Sequence, residues 1–250
     1  MTESDILQHE IAFHNKRYGG NDGERSGVRK YYSANKHAIN KYIEIVSKLC
    51  EGKNLLEYGC GTGSKSKQWL ILGAKVTGID ISEVGINVAK EKMANSEFHA
   101  DYYVMEAEKT EFNDNCFDLV VGTGILHHLD LTKSYKELSR ICSENAHIVF
   151  VEPLGHNPFI NFYRLLTPKM RTEDEHPMKS KDIKLINQYF NNVKCEYFSL
   201  FTLFSVPFRN MLFFDNLNSF CRAIDKAIFS IPFVRRYAWT VVIHARNPKK

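Results

Sequence analysis

The segment LLEYGCGTGSKS, starting at Leu55, constrains this chain more than any other stretch. It opens as a short apolar run, breaks on three glycines at alternate positions, and leads into residues 64–72, whose apolar spacing is helical. A strand that turns into a helix over Gly59, Gly61 and Gly63 needs residues without a Cβ, so that the backbone can turn sharply and come close to a ligand. The start of the following helix offers unpaired N–H groups to an anionic group. Glycine clusters are common in loops, and this one gains meaning from its place between a strand and a helix. Its spacing is GxGxG, so the GxGxxG fingerprint of dinucleotide sites is not met.

The rest of the chain extends the same alternation. Residues 54–59, 75–80, 98–107, 117–124, 146–155, 193–202 and 238–246 read as strands, and residues 82–94, 132–142 and 181–190 as helices between them. Ser82 is placed to cap its helix, with Glu83 in the first turn. Ahead of this core lie a short helix over 4–18, a glycine-rich polar loop over 18–27, and a helix over 32–50 with one apolar face. Strands alternating with helices predict an α/β fold: a Rossmann-like, doubly wound, mostly parallel seven-stranded sheet with helices on both faces. Such sheets bind ligands beyond the carboxyl ends of their strands. The 250 residues read as one domain, with a lid over 1–40, a cofactor-binding core over 41–152 and a substrate-side half over 153–250 that carries insertions at 157–177 and 203–236.

Composition closes off several classes. The net charge of +4 gives no dense basic face, so a nucleic-acid partner is not expected. The six cysteines include no CxxC pair, which argues against a zinc ribbon or a disulfide framework. The start, MTESDILQHE, lacks the apolar run of a signal peptide. No uncharged apolar run reaches the ~18–20 residues that span a bilayer. A cytoplasmic location is the expectation.

Asp80 ends the second strand, where an acid can accept both hydroxyls of a ribose. Glu57, the three glycines and Asp80 together resemble the class I S-adenosylmethionine methyltransferases. The likeness continues through EAEKTEFNDNCFDLVVGTGILHHL, residues 106–129, which is similar to that family's adenine-binding segment, fourth strand and following LHHL. It covers about residues 42–152. The resemblance implies S-adenosylmethionine as cofactor. It implies that Gly59, Cys60, Gly61, Thr62 and Gly63 form the loop under the methionine and ribose, with Glu57 orienting the loop or meeting the ammonium through water. Asp80 would hold the ribose and Ile81 pack on the adenine. Glu106 and the Ala107 N–H would stand near the adenine amino group, and Gly122 and Thr123 beside the methionine. Glu106 departs from the more common Asp, and its longer arm changes the reach to the adenine.

Methyl transfer asks for an aligned nucleophile and, for a protonated one, a base. His127 and His128, after the fourth strand, are candidates, since histidine exchanges protons near neutral pH. Glu152 and His156 follow the fifth strand. No further ligands stand at zinc-site spacing, so no metal is expected. His9, His14 and Tyr18 are candidates for a lid over the cofactor. The acceptor is expected to be a small or lipid-like molecule, methylated on oxygen or nitrogen. Residues 157–177, with Arg164, Lys169 and Arg171 beside Glu173, Asp174 and Glu175, are expected in its wall. Residues 201–236 are rich in phenylalanine, with Phe213, Leu217, Phe220, Ile224 and Ile228 at helical spacing among Arg209, Arg222, Lys226, Arg235 and Arg236. Core packing, a homodimer surface and peripheral membrane contact are all open for this stretch. So are two rival functions: a membrane-surface or partner-binding module without activity, and a nicotinamide-dependent oxidoreductase.

Overall fold

In a computed structural model, which describes residues 3–20, 29–167 and 176–250, seven strands form one sheet in the order β3-β2-β1-β4-β5-β7-β6. The strands are β1 (Asn54–Tyr58), β2 (Lys75–Asp80), β3 (Asp101–Val104), β4 (Phe117–Thr123), β5 (Cys142–Pro153), β6 (Phe190–Phe198) and β7 (Thr240–Pro248). The pairs β1 with β2, β1 with β4, β2 with β3 and β4 with β5 are parallel, and β7 runs antiparallel to β5 and β6. Strand order reverses between β1 and β4, which opens a crevice at their carboxyl ends.

The helices are α1 (Glu3–Tyr18), α2 (Arg29–Ser47), α3 (Ser66–Ile71), α4 (Glu83–Ala94), α5 (Leu131–Ile141), α6 (Pro158–Leu166), α7 (Ser180–Leu185) and α8 (Phe214–Ile228). Parallel neighbours need crossover helices, and these cover both faces. Alternate residues of the central strands serve opposite cores. Leu56, Val120, Ile148 and Phe150 pack with Tyr135, Leu138 and Ile141 of α5. Leu55, Leu119, Val121 and Val149 pack with Ala38, Tyr42 and Val46 of α2, Trp69 of α3 and Ile86 of α4.

Side-chain caps fix the helices beside the crevice. The Ser82 hydroxyl accepts from the Gly85 N–H at 3.0 Å, as its position before α4 suggests. Asp130 caps α5 by accepting from the N–H groups of Thr132 and Lys133. Asn157 caps α6 by accepting from Ile160 N–H at 3.0 Å, with Pro158 in the first turn.

The structure moves several expected boundaries. The third strand shrinks to four residues, and α3 starts two residues late. β5 begins at Cys142, directly where α5 ends, with an irregularity in its pairing to β4. The helix expected to reach Phe190 ends at Leu185 and tightens into a short turn over Ile186–Gln188. Phe190, 1% exposed, is instead the first residue of β6. Burying that ring on the sheet outweighs continuing a helix through Asn191 and Asn192, which are weak helix formers.

Within the Phe-rich stretch, α8 turns Asn218, Cys221 and Asp225 inward. Asp225 accepts from the N–H groups of Leu200, Phe201 and Thr202, so it pins the tight turn over Phe201–Phe208. Leu217, Ile224 and Ile228 are half-buried, but Phe213 and Phe220 of the expected apolar stripe are 49% and 65% exposed. A buried acid with three backbone donors sets the rotation of this helix, so apolar spacing alone places the two rings on the wrong side. Most of the expected loop over 18–27 lies outside the described residues, as do Lys169, Arg171, Glu173, Asp174 and Glu175. Among the described residues no helix is long and apolar enough to cross a membrane.

Candidate functional site

At the carboxyl ends of β1, β2, β4 and β5 lies a cavity of about 1090 Å³, roofed by α1 and walled on one side by α6. Its floor is the glycine loop. Gly59, Gly61 and Gly63 have φ of 74°, 54° and 62°, in the left-handed region where a Cβ is strained. A Cβ on Gly61 would stand 2.6 Å from the Tyr18 hydroxyl, so the end of α1 lies directly over the loop.

Asp80 ties the loop to β2. One carboxylate oxygen accepts from Gly61 N–H at 2.8 Å and the other from Ser82 N–H at 2.9 Å. The residue lines the cavity at 8% exposure, and its carboxylate has acceptor capacity beyond these two bonds. Glu57 behaves differently. Its oxygens accept from the Ser66 hydroxyl and from Trp69 Nε1, the latter at 3.1 Å. Burial pushes its pKa up, against the opposing pull of Ser66, Lys65 and Trp69. It does not line the cavity, so of its two expected roles the structure favours orienting the loop through α3.

Lys65, just past the glycine turn, was not among the residues expected at the site. Its Nζ donates to the Thr123 hydroxyl at 3.1 Å and sits 5.1 Å from the centre of the Tyr42 ring. Burial lowers its pKa, partly offset by Glu57. A lysine two residues past the last glycine, at the mouth of a helix, was the available signal. Lys65 and Thr123 line the cavity with Cys60, Thr62, Ile81, Glu106 and Ala107. The Cys60 thiol is pushed up by burial and by Asp80 and Glu57, so it stays protonated and unreactive. Gly63 and Gly122 do not reach the cavity. They are packing positions, where a Cβ would come within 2.8 Å of Tyr102 and 2.6 Å of Phe150, respectively.

The other half of the cavity holds His127, His128 and Glu152. Glu152 is fully buried. One of its oxygens accepts from the N–H groups of Ile125 and Leu126 at 3.0 and 2.9 Å, and the other lies 2.7 Å from His127 Nδ1. A carboxylate can only accept, so this contact puts the ring proton on Nδ1 and leaves Nε2 as the basic nitrogen. His156, expected as a candidate base, does not reach the cavity.

The roof is α1. Asn15 holds it to the start of α4, its side-chain oxygen accepting from the Ser82 hydroxyl at 2.6 Å. Leu7, Glu10, His14 and Tyr18 face inward at helical spacing and line the cavity. His9, expected among the lid residues, lies on the exposed side. Glu10 was not singled out from the sequence. It is 4% exposed and meets His14 Nε2 at 3.3 Å and His128 Nδ1 at 3.4 Å.

A mostly parallel sheet with a glycine turn after its first strand, an acid ending its second and a cavity across the reversal point is the arrangement in which α/β proteins hold nucleoside-bearing ligands. Residues 56–150 match the model of a methyltransferase domain. The match covers less than half of the chain, so the likeness to that family is shown over this stretch. The chain is 30% identical over 148 residues to the demethylmenaquinone methyltransferase of Chlorobaculum parvum, covering 53% of this chain and 60% of that protein. It is 28% identical over 127 residues to a ubiquinone biosynthesis O-methyltransferase of Bordetella parapertussis, covering 49% of this chain and 53% of that one. The chain thus spans little more than half the length of these relatives. The fold matches magnesium protoporphyrin IX methyltransferase from Synechocystis PCC 6803 with bound S-adenosylhomocysteine, at a TM-score of 0.60 and 14% identity over 97% of this chain and 99% of that one. It also matches Haemonchus contortus phosphoethanolamine N-methyltransferase 2 in complex with S-adenosylmethionine, at a TM-score of 0.60 and 18% identity over 84% of this chain and 53% of that one.

Proposed function

We propose that this protein is an S-adenosylmethionine-dependent methyltransferase acting on an oxygen or nitrogen of a small, lipid-like acceptor. The observation that carries this reading is the single cavity that joins the glycine loop, Asp80 and Lys65 to the buried pair His127 and Glu152. Its volume lies just above the range of about 300–1,000 Å³ for a pocket holding one small molecule, which suits a cofactor and an acceptor side by side. The fold neighbours seen with S-adenosylmethionine or S-adenosylhomocysteine support the same cofactor here.

When bound, that cofactor supplies a methyl group already activated on a sulfonium. The chain does the rest. The backbone around Gly59 and Gly61 makes room, Asp80 accepts the ribose hydroxyls, and Ile81, Glu106 and the Ala107 N–H meet the adenine. Lys65, half-buried beside Thr123, would pair with the methionine carboxylate. His127 takes the proton of the acceptor's hydroxyl or ammonium on Nε2. Glu152 holds the ring and stabilises the imidazolium that forms, the arrangement known from serine-protease triads. Residues 1–40 act as the lid, 41–152 as the cofactor core and 153–250 as the acceptor side.

The lipid-like acceptor is supported by the surface at the cavity mouth. Ile160 and Tyr163 of α6 line both the cavity and a smaller cleft with Phe159, Leu203, Phe204 and Pro207. On α6 and just ahead of α8, Phe162, Leu165, Leu166, Met211, Leu212 and Phe213 are all about half exposed or more. Exposed apolar side chains in such number suit an interaction site, and Arg209 in the cleft lining suits an anionic lipid surface. The test is incubation of the chain and Asp80→Ala with methyl-labelled S-adenosylmethionine and extract of the source cells, followed by separation of organic from aqueous phases. Asp80-dependent label in the organic phase is the expected result. Label in the aqueous phase alone would overturn the lipid-like acceptor, and no Asp80-dependent label in either phase would overturn methyl transfer.

A further inference from the structure

We infer that Glu10, His14 and His128 form a binding site for one divalent transition-metal ion on the acceptor side of the cavity. One donor atom from each of the three lies within 4.8 Å of the others. Glu10 and His14 stand one turn apart on α1 and so share a face. His128 reaches them from the short turn over Leu126–His128 that follows β4. The carboxylate oxygen of Glu10 is 3.3 Å from His14 Nε2 and 3.4 Å from His128 Nδ1. Donors bound at 2.0–2.1 Å around a tetrahedral ion stand about 3.3–3.4 Å apart, so both separations are already those of two edges of such a site.

Glu10 is 4% exposed and His14 and His128 are largely enclosed. Two nitrogens and one carboxylate oxygen make a borderline donor set, suited to zinc and its first-row neighbours rather than to magnesium or calcium. Three protein ligands with a fourth position facing a cavity is the pattern of sites that take a substrate oxygen or water. That an acceptor oxygen fills the position rests on the methyl-transfer reading, but the existence of the site does not. This departs from the sequence expectation of no metal. The ligands come from two elements far apart in the chain, and only Glu10 and His14 share a local spacing.

The experiment is a titration of the chelator-treated full chain with Co²⁺, read by its visible absorption, then with Zn²⁺ as competitor. Stabilisation by S-adenosylmethionine is measured in parallel on every sample. The expected result is a visible band that saturates at one Co²⁺ per chain and is bleached by Zn²⁺. Glu10→Gln, His14→Ala and His128→Ala should each weaken binding by more than the roughly 10–100-fold that losing a ligand's hydrogen-bond partner costs. His244→Ala, which breaks the His147 and His244 contact on β5 and β7, should leave it unchanged. Absence of a band from the wild-type chain overturns the site, as does a band that survives all three substitutions or is lost in His244→Ala. A chain that binds Co²⁺ but is not stabilised by S-adenosylmethionine keeps the metal site and sinks the methyl-transfer reading. The reverse result sinks the metal site alone.

Discussion

Replacing Asp80 by alanine separates the cofactor site from the rest of the fold. In the protein alone, the change removes the acceptor of two N–H groups, those of Gly61 and Ser82, at 2.8 and 2.9 Å. Unmet buried donors cost ~1–3 kcal/mol each, but the open cavity lets water replace part of this, so the fold should lose about 2 kcal/mol. For a chain of this size that lowers Tm by roughly 4–8 °C without ligand. The effect on the cofactor is larger. Two ribose hydroxyls donating to a carboxylate are worth ~1.5–3 kcal/mol each. Taking about 3 kcal/mol in total weakens binding roughly 150-fold. With S-adenosylmethionine at a hundred times the parent Kd, ligand stabilisation should fall from about 2.7 to about 0.3 kcal/mol. The thermal shift falls accordingly, from roughly 5–10 °C to about 1 °C. Asp80→Asn keeps one acceptor oxygen and should lie between the two. Differential scanning fluorimetry at fixed ligand, checked by calorimetry, reads all of this without any acceptor. If Asp80→Ala is stabilised as much as the parent at the same ligand concentration, the assignment of this carboxylate to the ribose is wrong.

Glu152→Gln should leave cofactor binding within about threefold but reduce turnover roughly 10²–10⁴-fold, because an amide N–H facing His127 Nδ1 reverses the tautomer; unchanged turnover and an unchanged pH–rate profile would remove His127 from the mechanism. Lys65→Met, which keeps the stem but not the charge, should weaken S-adenosylhomocysteine binding by about 10–100-fold, at ~1.5–3 kcal/mol for a charged hydrogen bond, and leave binding of adenosine unaltered; equal losses for both ligands in calorimetry would place Lys65 away from the methionine. The half-buried His147 and His244 meet at 2.9 Å, and burial together with His147, Lys194 and Arg246 lowers the His244 pKa from 6.5 to about 4. The unfolded chain therefore takes up protons that the folded one refuses, so stability is complete above about pH 6.5 and falls as pH drops toward 4. Fully expressed, the shift is worth ~3 kcal/mol, and solvent around these rings reduces it to roughly 1–2. His244→Val should flatten the decline in Tm between pH 6.5 and 5, and an unaltered slope would show that other groups govern it.

Local signals made much of this protein legible before folding. Buried parallel strands carry apolar runs, so β1 and β4 stand out, and the left-handed turn at Gly59, Gly61 and Gly63 leaves its mark as glycine. The cap of α4 at Ser82 and the acid at the end of β2 are read from position alone. Tertiary structure decided what depends on which groups meet. Glu57 turned out to serve Ser66 and Trp69 rather than the cavity, because a buried carboxylate goes to the donors that α3 brings to it. His127 and His128 are neighbours in sequence with opposite partners, one on Glu152 of β5 and the other on Glu10 of α1. No spacing rule separates them, since those partners arrive by sheet order and helix docking. The rotation of α8 was likewise set by Asp225 binding the backbone of another segment. Sequence by itself fixes what the backbone must do locally, through sterics and periodicity. The pairing of buried polar groups is a long-range choice, made only when the sheet closes and each donor and acceptor must find a partner away from water.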